Sequence, residues 1–94
     1  MQDGEWIVGN AVIQDPTGLH ARPAVKLTKL AKTFDSAVEI RTDDGTAWIS
    51  AKSPNAVMKL RAAHGVPLLI RAAGADARAA VDALVTLVNR NFND

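Results

Sequence analysis

The spacing of apolar positions changes along the chain, and each change marks an element. Trp6 to Ile13 is an apolar run rich in β-branched residues, which predicts a first strand. The turn-forming run Asp15-Pro16-Thr17-Gly18 closes it. From Ala21 to Phe34 the period becomes helical, with Ala24, Leu27, Leu30, Ala31 and Phe34 on one side. Lys26, Lys29 and Lys32 hold the other side, a solvated face first and a docking face second. Ala37 to Thr42 alternates Val38 and Ile40 with Glu39 and Arg41, the signature of a half-buried strand. Asp43-Asp44-Gly45 predicts a hairpin turn, and Thr46 to Ser50 its returning strand, with Trp48 as a packed or half-exposed strand aromatic.

Ser53 and Pro54 open a second helix, as N-cap and first helical residue. Val57, Met58 and Leu60 form its apolar stripe, His64 falls in its last turn, and Gly65 is expected to cap it. Val66 to Ala72 reads as a strand with Pro67 at its start, where a missing N–H does least harm. Gly74 and Asp76 precede a last helix whose face is Ala77, Ala80, Val81, Leu84, Leu87 and Val88. Helices with one apolar stripe each, beside strands joined partly by a hairpin, predict a two-layer α/β (α+β) sandwich. Helices then cover one face of a mainly antiparallel sheet. Strand order does not follow from this pattern.

Composition narrows the picture. A length of 94 residues suits one domain, 1–94, and 48% apolar content can fill its core without a metal or disulfides. There is no cysteine, so neither a disulfide framework nor a thiolate nucleophile is available, which fits a reducing cytoplasm. Net charge is +1 with scattered cations, so bulk electrostatics makes no case for a nucleic-acid or membrane partner. No apolar run reaches membrane-spanning length. Met1 to Glu5 is short and polar and is expected to be flexible, or to be the remnant of a linker.

The chemistry concentrates at Thr17-Gly18-Leu19-His20-Ala21-Arg22-Pro23-Ala24, where the turn meets the first helix. A helix N-terminus offers unpaired N–H groups and the positive end of the macrodipole, and so favours an anion. His20 stands there with Arg22 two residues on, and Pro23 suits the first turn. Neutral imidazole is a competent nucleophile, and both the helix end and Arg22 favour the neutral ring. A single histidine at a helix start is, on position alone, more often an ordinary polar residue.

The complete string Gly-Leu-His-Ala-Arg-Pro-Ala resembles the active-site signature of the histidine-containing phosphocarrier proteins (HPr) of the phosphoenolpyruvate-dependent sugar phosphotransferase system. Ser-Ala-Lys-Ser at 50–53 is similar to that family's second signature, and the likeness runs from about Ile7 to about Val88. The resemblance implies a βαββαβα fold, with a four-stranded antiparallel sheet in the order 1-4-2-3 and three helices on one face. It implies His20 as phosphoryl acceptor through Nδ1 and Arg22 as stabiliser of charge on the phosphoryl oxygens. Gly18 and the backbone at Ala21 and Arg22 would form the phosphate cradle. The donor would be phosphorylated enzyme I, and the acceptors enzyme II A components. The protein would be a cytoplasmic, monomeric carrier recharged in each cycle, not an enzyme, with no cofactor and no metal.

Ser53 corresponds to the family's regulatory serine. Pro54 and Asn55 depart from the apolar residues that usually follow it, and Ser is in any case a favoured N-cap. Within the class, a nitrogen-related carrier or a domain of a multiphosphoryl transfer protein shares the same string. Outside it stand a small nucleic-acid binder, which the charge and sparse aromatics disfavour, and an acyl-phosphate hydrolase, which would release phosphate instead of accumulating it.

Overall fold

Strand β4 (Pro67–Ala73) is the spine of the sheet. It pairs antiparallel with β1 (Ile7–Val12) on one side and β2 (Ala37–Thr42) on the other, and β3 (Ile49–Ser50) extends β2. The order is therefore β1-β4-β2-β3. These features come from a computed structural model that describes residues 5–43 and 47–92. Pro67 opens β4 opposite Val12, where its missing N–H interrupts little of the ladder. Alternation decides the faces: Val38, Ile40, Leu68, Ile70 and Ala72 turn inward and are buried. Glu39, Arg41, Leu69 and Arg71 turn to the open face.

Three helices cover the inner face: α1 (Ala21–Ala31), α2 (Pro54–Leu60) and α3 (Ala77–Asn89). The α3 stripe Ala77, Ala80, Val81, Leu84, Leu87 and Val88 is buried without exception. Each large apolar side chain placed there contributes roughly 1.5–3 kcal/mol. The helix lies so close to β1 that a Cβ on Gly9 would stand 2.8 Å from Val81 Cγ1. Helix α1 packs against α2 and α3, burying Ala24, Leu27 and Ala31.

Several boundaries differ from the sequence reading. Helix α1 stops at Ala31, with Lys32 as its C-cap, so Phe34 packs on the core from the following turn. The third strand is only Ile49–Ser50. Trp48 lies outside it, its ring over the Arg71 guanidinium at 4.2 Å and over Arg41 at 5.1 Å. Of the hairpin turn, Asp44, Gly45 and the following Thr46 lie outside the described residues, as do Met1 to Gly4. Helix α2 ends at Leu60, not near Gly65. Arg61 turns left-handed (φ 53°) and releases the chain, because the Ala62 carbonyl is engaged elsewhere, by the N–H of Leu19 at 2.8 Å. His64 consequently sits in a turn beyond the helix, and Gly65 serves the approach to β4.

Candidate functional site

The loop from β1 to α1 is fastened residue by residue. Ile13 donates its N–H to Val66 O at 3.1 Å and accepts that of Gly65 at 2.8 Å. Asp15 Oδ1 then accepts from both the N–H (2.9 Å) and the hydroxyl (2.7 Å) of Thr17, the side-chain turn for which Asp is suited. Gly18 closes the turn by donating to the Asp15 carbonyl at 2.8 Å. At Gly18 φ is +77°, and a Cβ would lie 2.5 Å from Ala62 O, so only glycine fits both the conformation and the space. Its contribution to the site is thus the shape of the loop, its own N–H being already engaged. Leu19, buried and bonded to Ala62, presses the loop onto the chain after α2.

That path delivers His20 as the N-cap residue of α1, in extended conformation and with no side-chain cap bond. Its carbonyl accepts the N–H of Ala24 at 2.9 Å. Pro23 has no N–H to place. Among the described residues the N–H groups of Ala21 and Arg22 have no backbone partner, so the helix presents two free donors beside the imidazole. The ring is 45% exposed, open enough to meet a partner. Nε2 lies 3.4 Å from Asp15 Oδ2, whereas Nδ1 makes no hydrogen bond among the described residues. The hydroxyl and then the N–H of Thr17 hold the Asp15 carboxyl below its usual range, with His20 adding to the effect.

His20 borders two open depressions. One, of about 280 Å³, is lined by Asp15, Arg22, Pro23, Lys26, Asn91 and Phe92. The other, of about 330 Å³, is lined by Thr17, Leu19, Arg61, Ala62 and Ala63. Of the residues singled out in the sequence, His20 and Arg22 therefore border one depression, Ala21 lies between them at the helix start, and Gly18 shapes the loop that leads in. The structure adds Asp15, Lys26 and Arg61, whose proximity the sequence did not reveal. Asp15 had a sufficient role as a turn residue, and Lys26 looked like part of a solvated face. Lys26 instead donates to the Phe92 carbonyl at 2.9 Å and ties the end of the described chain to the site, while Lys29 and Lys32 are exposed.

Ser53 stands apart, at the start of α2. Its hydroxyl accepts the Ala56 N–H at 3.3 Å with Pro54 as first helical residue, as the sequence predicted. Of the apolar stripe, Val57 is wholly buried, Leu60 is partly buried, and Met58 is exposed. Met58 is therefore the member of that stripe left on the surface. Among the described residues no group of three His, Asp or Glu is placed to hold a metal, and no helix is long and apolar enough to cross a membrane.

The sequence and the fold have counterparts among known proteins. A model of the family described as the PTS HPr component phosphorylation site matches residues 8–90. The chain is 37% identical to the phosphocarrier protein NPr of Proteus mirabilis, covering 87% of this chain and 90% of that protein. It is 36% identical to DhaM of Providencia stuartii, the phosphoryl donor subunit of a PEP-dependent dihydroxyacetone kinase, covering 96% of this chain but 17% of that larger protein. Among solved structures, HPr-C-His from Thermoanaerobacter tengcongensis superposes with a TM-score of 0.85 at 32% identity, over 94% of this chain and 97% of that one.

Proposed function

The chain belongs to the HPr family of phosphocarriers, and from that premise we propose that His20 takes a phosphoryl group from phosphorylated enzyme I. It holds the group on Nδ1 and passes it to an enzyme II A component in sugar uptake and phosphorylation. One observation carries the reading. A half-exposed imidazole with an unengaged Nδ1 stands at a helix start whose Ala21 and Arg22 N–H groups are unpaired among the described residues.

The transfer asks for a nucleophile, in-line access and charge stabilisation. The Nδ1 lone pair of neutral His20 forms a bond to phosphorus while the donor's N–P bond breaks, its electron pair remaining with the donor nitrogen. Arg22 offers a planar guanidinium to the equatorial oxygens during transfer. The two backbone donors receive the same oxygens once the group has settled. Transfer onward is the reverse step to a different acceptor.

A second reading is favoured by the DhaM relative, in which a domain of this kind is a small part of a larger phosphoryl donor subunit. There the final acceptor would be the dihydroxyacetone kinase machinery in place of a sugar-specific component. Offering the phosphorylated chain to A components of each type distinguishes the two.

The carrier reading is tested by intact mass after mixing with enzyme I and phosphoenolpyruvate, beside a His20→Ala control. The expected result is an acid-labile gain of one phosphoryl group, absent from the control. A gain that persists in His20→Ala would overturn the assignment.

A further inference from the structure

The carboxylate of Asp15 lies 3.4 Å from Nε2 of His20, the ring nitrogen that the proposed transfer leaves unused. We propose that Asp15 is a positioning residue. It keeps the proton of neutral His20 on Nε2, so that Nδ1 carries the lone pair, and it balances the positive charge the ring acquires on bonding phosphorus. This inference rests on the reading of His20 as phosphoryl acceptor.

Three observations carry it. First, the carboxylate is held by its own loop: Oδ1 accepts both Thr17 donors, at 2.9 and 2.7 Å, which leaves Oδ2 for the ring, 3.4 Å from Nε2. Second, an ionised carboxylate can only accept, so a neutral imidazole facing it is favoured with its hydrogen on Nε2. Third, the other charged groups lining the two depressions are all cations: Arg22 and Lys26 from α1, and Arg61 from the chain leaving α2. They suit phosphoryl oxygens but oppose positive charge on the ring.

The charge balance shows why that matters. When Nδ1 bonds phosphorus and Nε2 keeps its hydrogen, no proton is lost, and the ring becomes a phosphorylated imidazolium. Among the described lining residues, Asp15 is the one anion able to offset that charge. Returning the group restores the neutral ring with its hydrogen still on Nε2, so the site is ready for another cycle without proton exchange. The arrangement parallels the buried aspartate that fixes the tautomer of a triad histidine, here built in an exposed loop.

The test uses phosphoramidate, a small N–P donor that needs no protein partner; its N–P bond breaks as the Nδ1–P bond forms, and ammonia leaves. Asp15→Ala removes the carboxylate. Asp15→Asn retains a carbonyl oxygen for Thr17 but turns an amide N–H toward Nε2, favouring hydrogen on Nδ1 and blocking the nucleophile. Phosphorylation of His20 is expected to slow roughly fivefold in Asp15→Ala and tenfold or more in Asp15→Asn. ¹⁵N spectra of the neutral ring should show Nε2–H in the parent chain and a shift toward Nδ1–H in Asp15→Asn. A purely structural Asp15 predicts the opposite ranking, because Asn preserves the turn. Asp15→Asn reacting within about twofold of the parent, or a parent ring protonated on Nδ1, would overturn the inference. If the parent chain gains no phosphoryl group on His20, the carrier reading falls and this inference with it. If the parent gains it and the Asp15 variants keep pace, the Asp15 inference alone falls.

Discussion

His20 and Ser53 occupy the same place on two helices, and the helices use it in opposite ways. Each is the N-cap residue of its helix, with extended backbone leading in. Ser53 turns its hydroxyl back onto the Ala56 N–H, so α2 satisfies a terminal donor from within. His20 makes no such bond, and among the described residues the Ala21 and Arg22 N–H groups of α1 are left without a backbone partner. A helix start is thus ordinary when its cap is a good one. It keeps donors open to a ligand when the cap residue makes no such bond, as with His20, the proposed phosphoryl acceptor. Helix α3 shows a third use: Asp76, its N-cap residue, directs its carboxylate outward to the N–H groups of Asp35 and Ser36, each at 2.9 Å, and to the Ser36 hydroxyl.

Exchanging the caps breaks the contrast most severely. His20→Ser should abolish acid-labile phosphorylation while raising stability by about 1 kcal/mol, since serine can close the open helix end. Intact mass reads the first effect and a urea midpoint the second. Ser53→Ala should cost about 1 kcal/mol in the same unfolding experiment and leave the rate of phosphoryl uptake at His20 unchanged. A slowed uptake would mean that α2 contributes to the site beyond its own cap.

The smallest effect is confined to acid. The hydroxyl of Ser36, then the N–H of Asp35, hold the Asp76 carboxyl below its usual range. A lowered folded-state value means that the stabilisation is complete above the unfolded value of about 3.9 and disappears as pH falls through the folded one. Urea midpoints taken downward from about pH 5 should therefore decline more steeply in the parent than in Asp76→Asn, which has no carboxylate to protonate. Equal slopes would remove Asp76 from the account of acid sensitivity.

What could be read in advance follows the same division between local and distant causes. The α3 stripe and the alternation of β2 are local periodicities facing one core, and the structure places each as its period predicts. The caps at Ser53 and Pro54 were legible because they depend on residues a few positions apart. The end of α2 was not. Leu60, Arg61, Ala62 and Ala63 would each continue a helix, but the Leu19 N–H takes the Ala62 carbonyl, and that bond joins segments far apart in the chain. Sheet order likewise came from the family likeness, since alternation says which face a residue occupies but not which strand lies beside it. At the site, His20 and Arg22 were evident from the string that holds them. Asp15 was hidden because Asp before a turn already has a sufficient explanation, and its second oxygen acquires a partner only when the loop is closed.

The open face of the sheet gives the protein an optical property of its own. The chain contains two tryptophans and no tyrosine. Trp6 and Trp48 both lie over the guanidinium of Arg71, at 3.9 and 4.2 Å, and that guanidinium is also bonded to Glu39 at 2.6 Å. Trp6 immediately precedes β1, at the end opposite the His20 loop, about 20 Å away along a strand of this length. Intrinsic fluorescence therefore comes from one cluster bridging the first, second and last strands and the start of the third. It should change when those strands separate and stay constant when a phosphoryl group arrives or leaves. A single cuvette can thus follow the integrity of the scaffold while a second signal follows the chemistry.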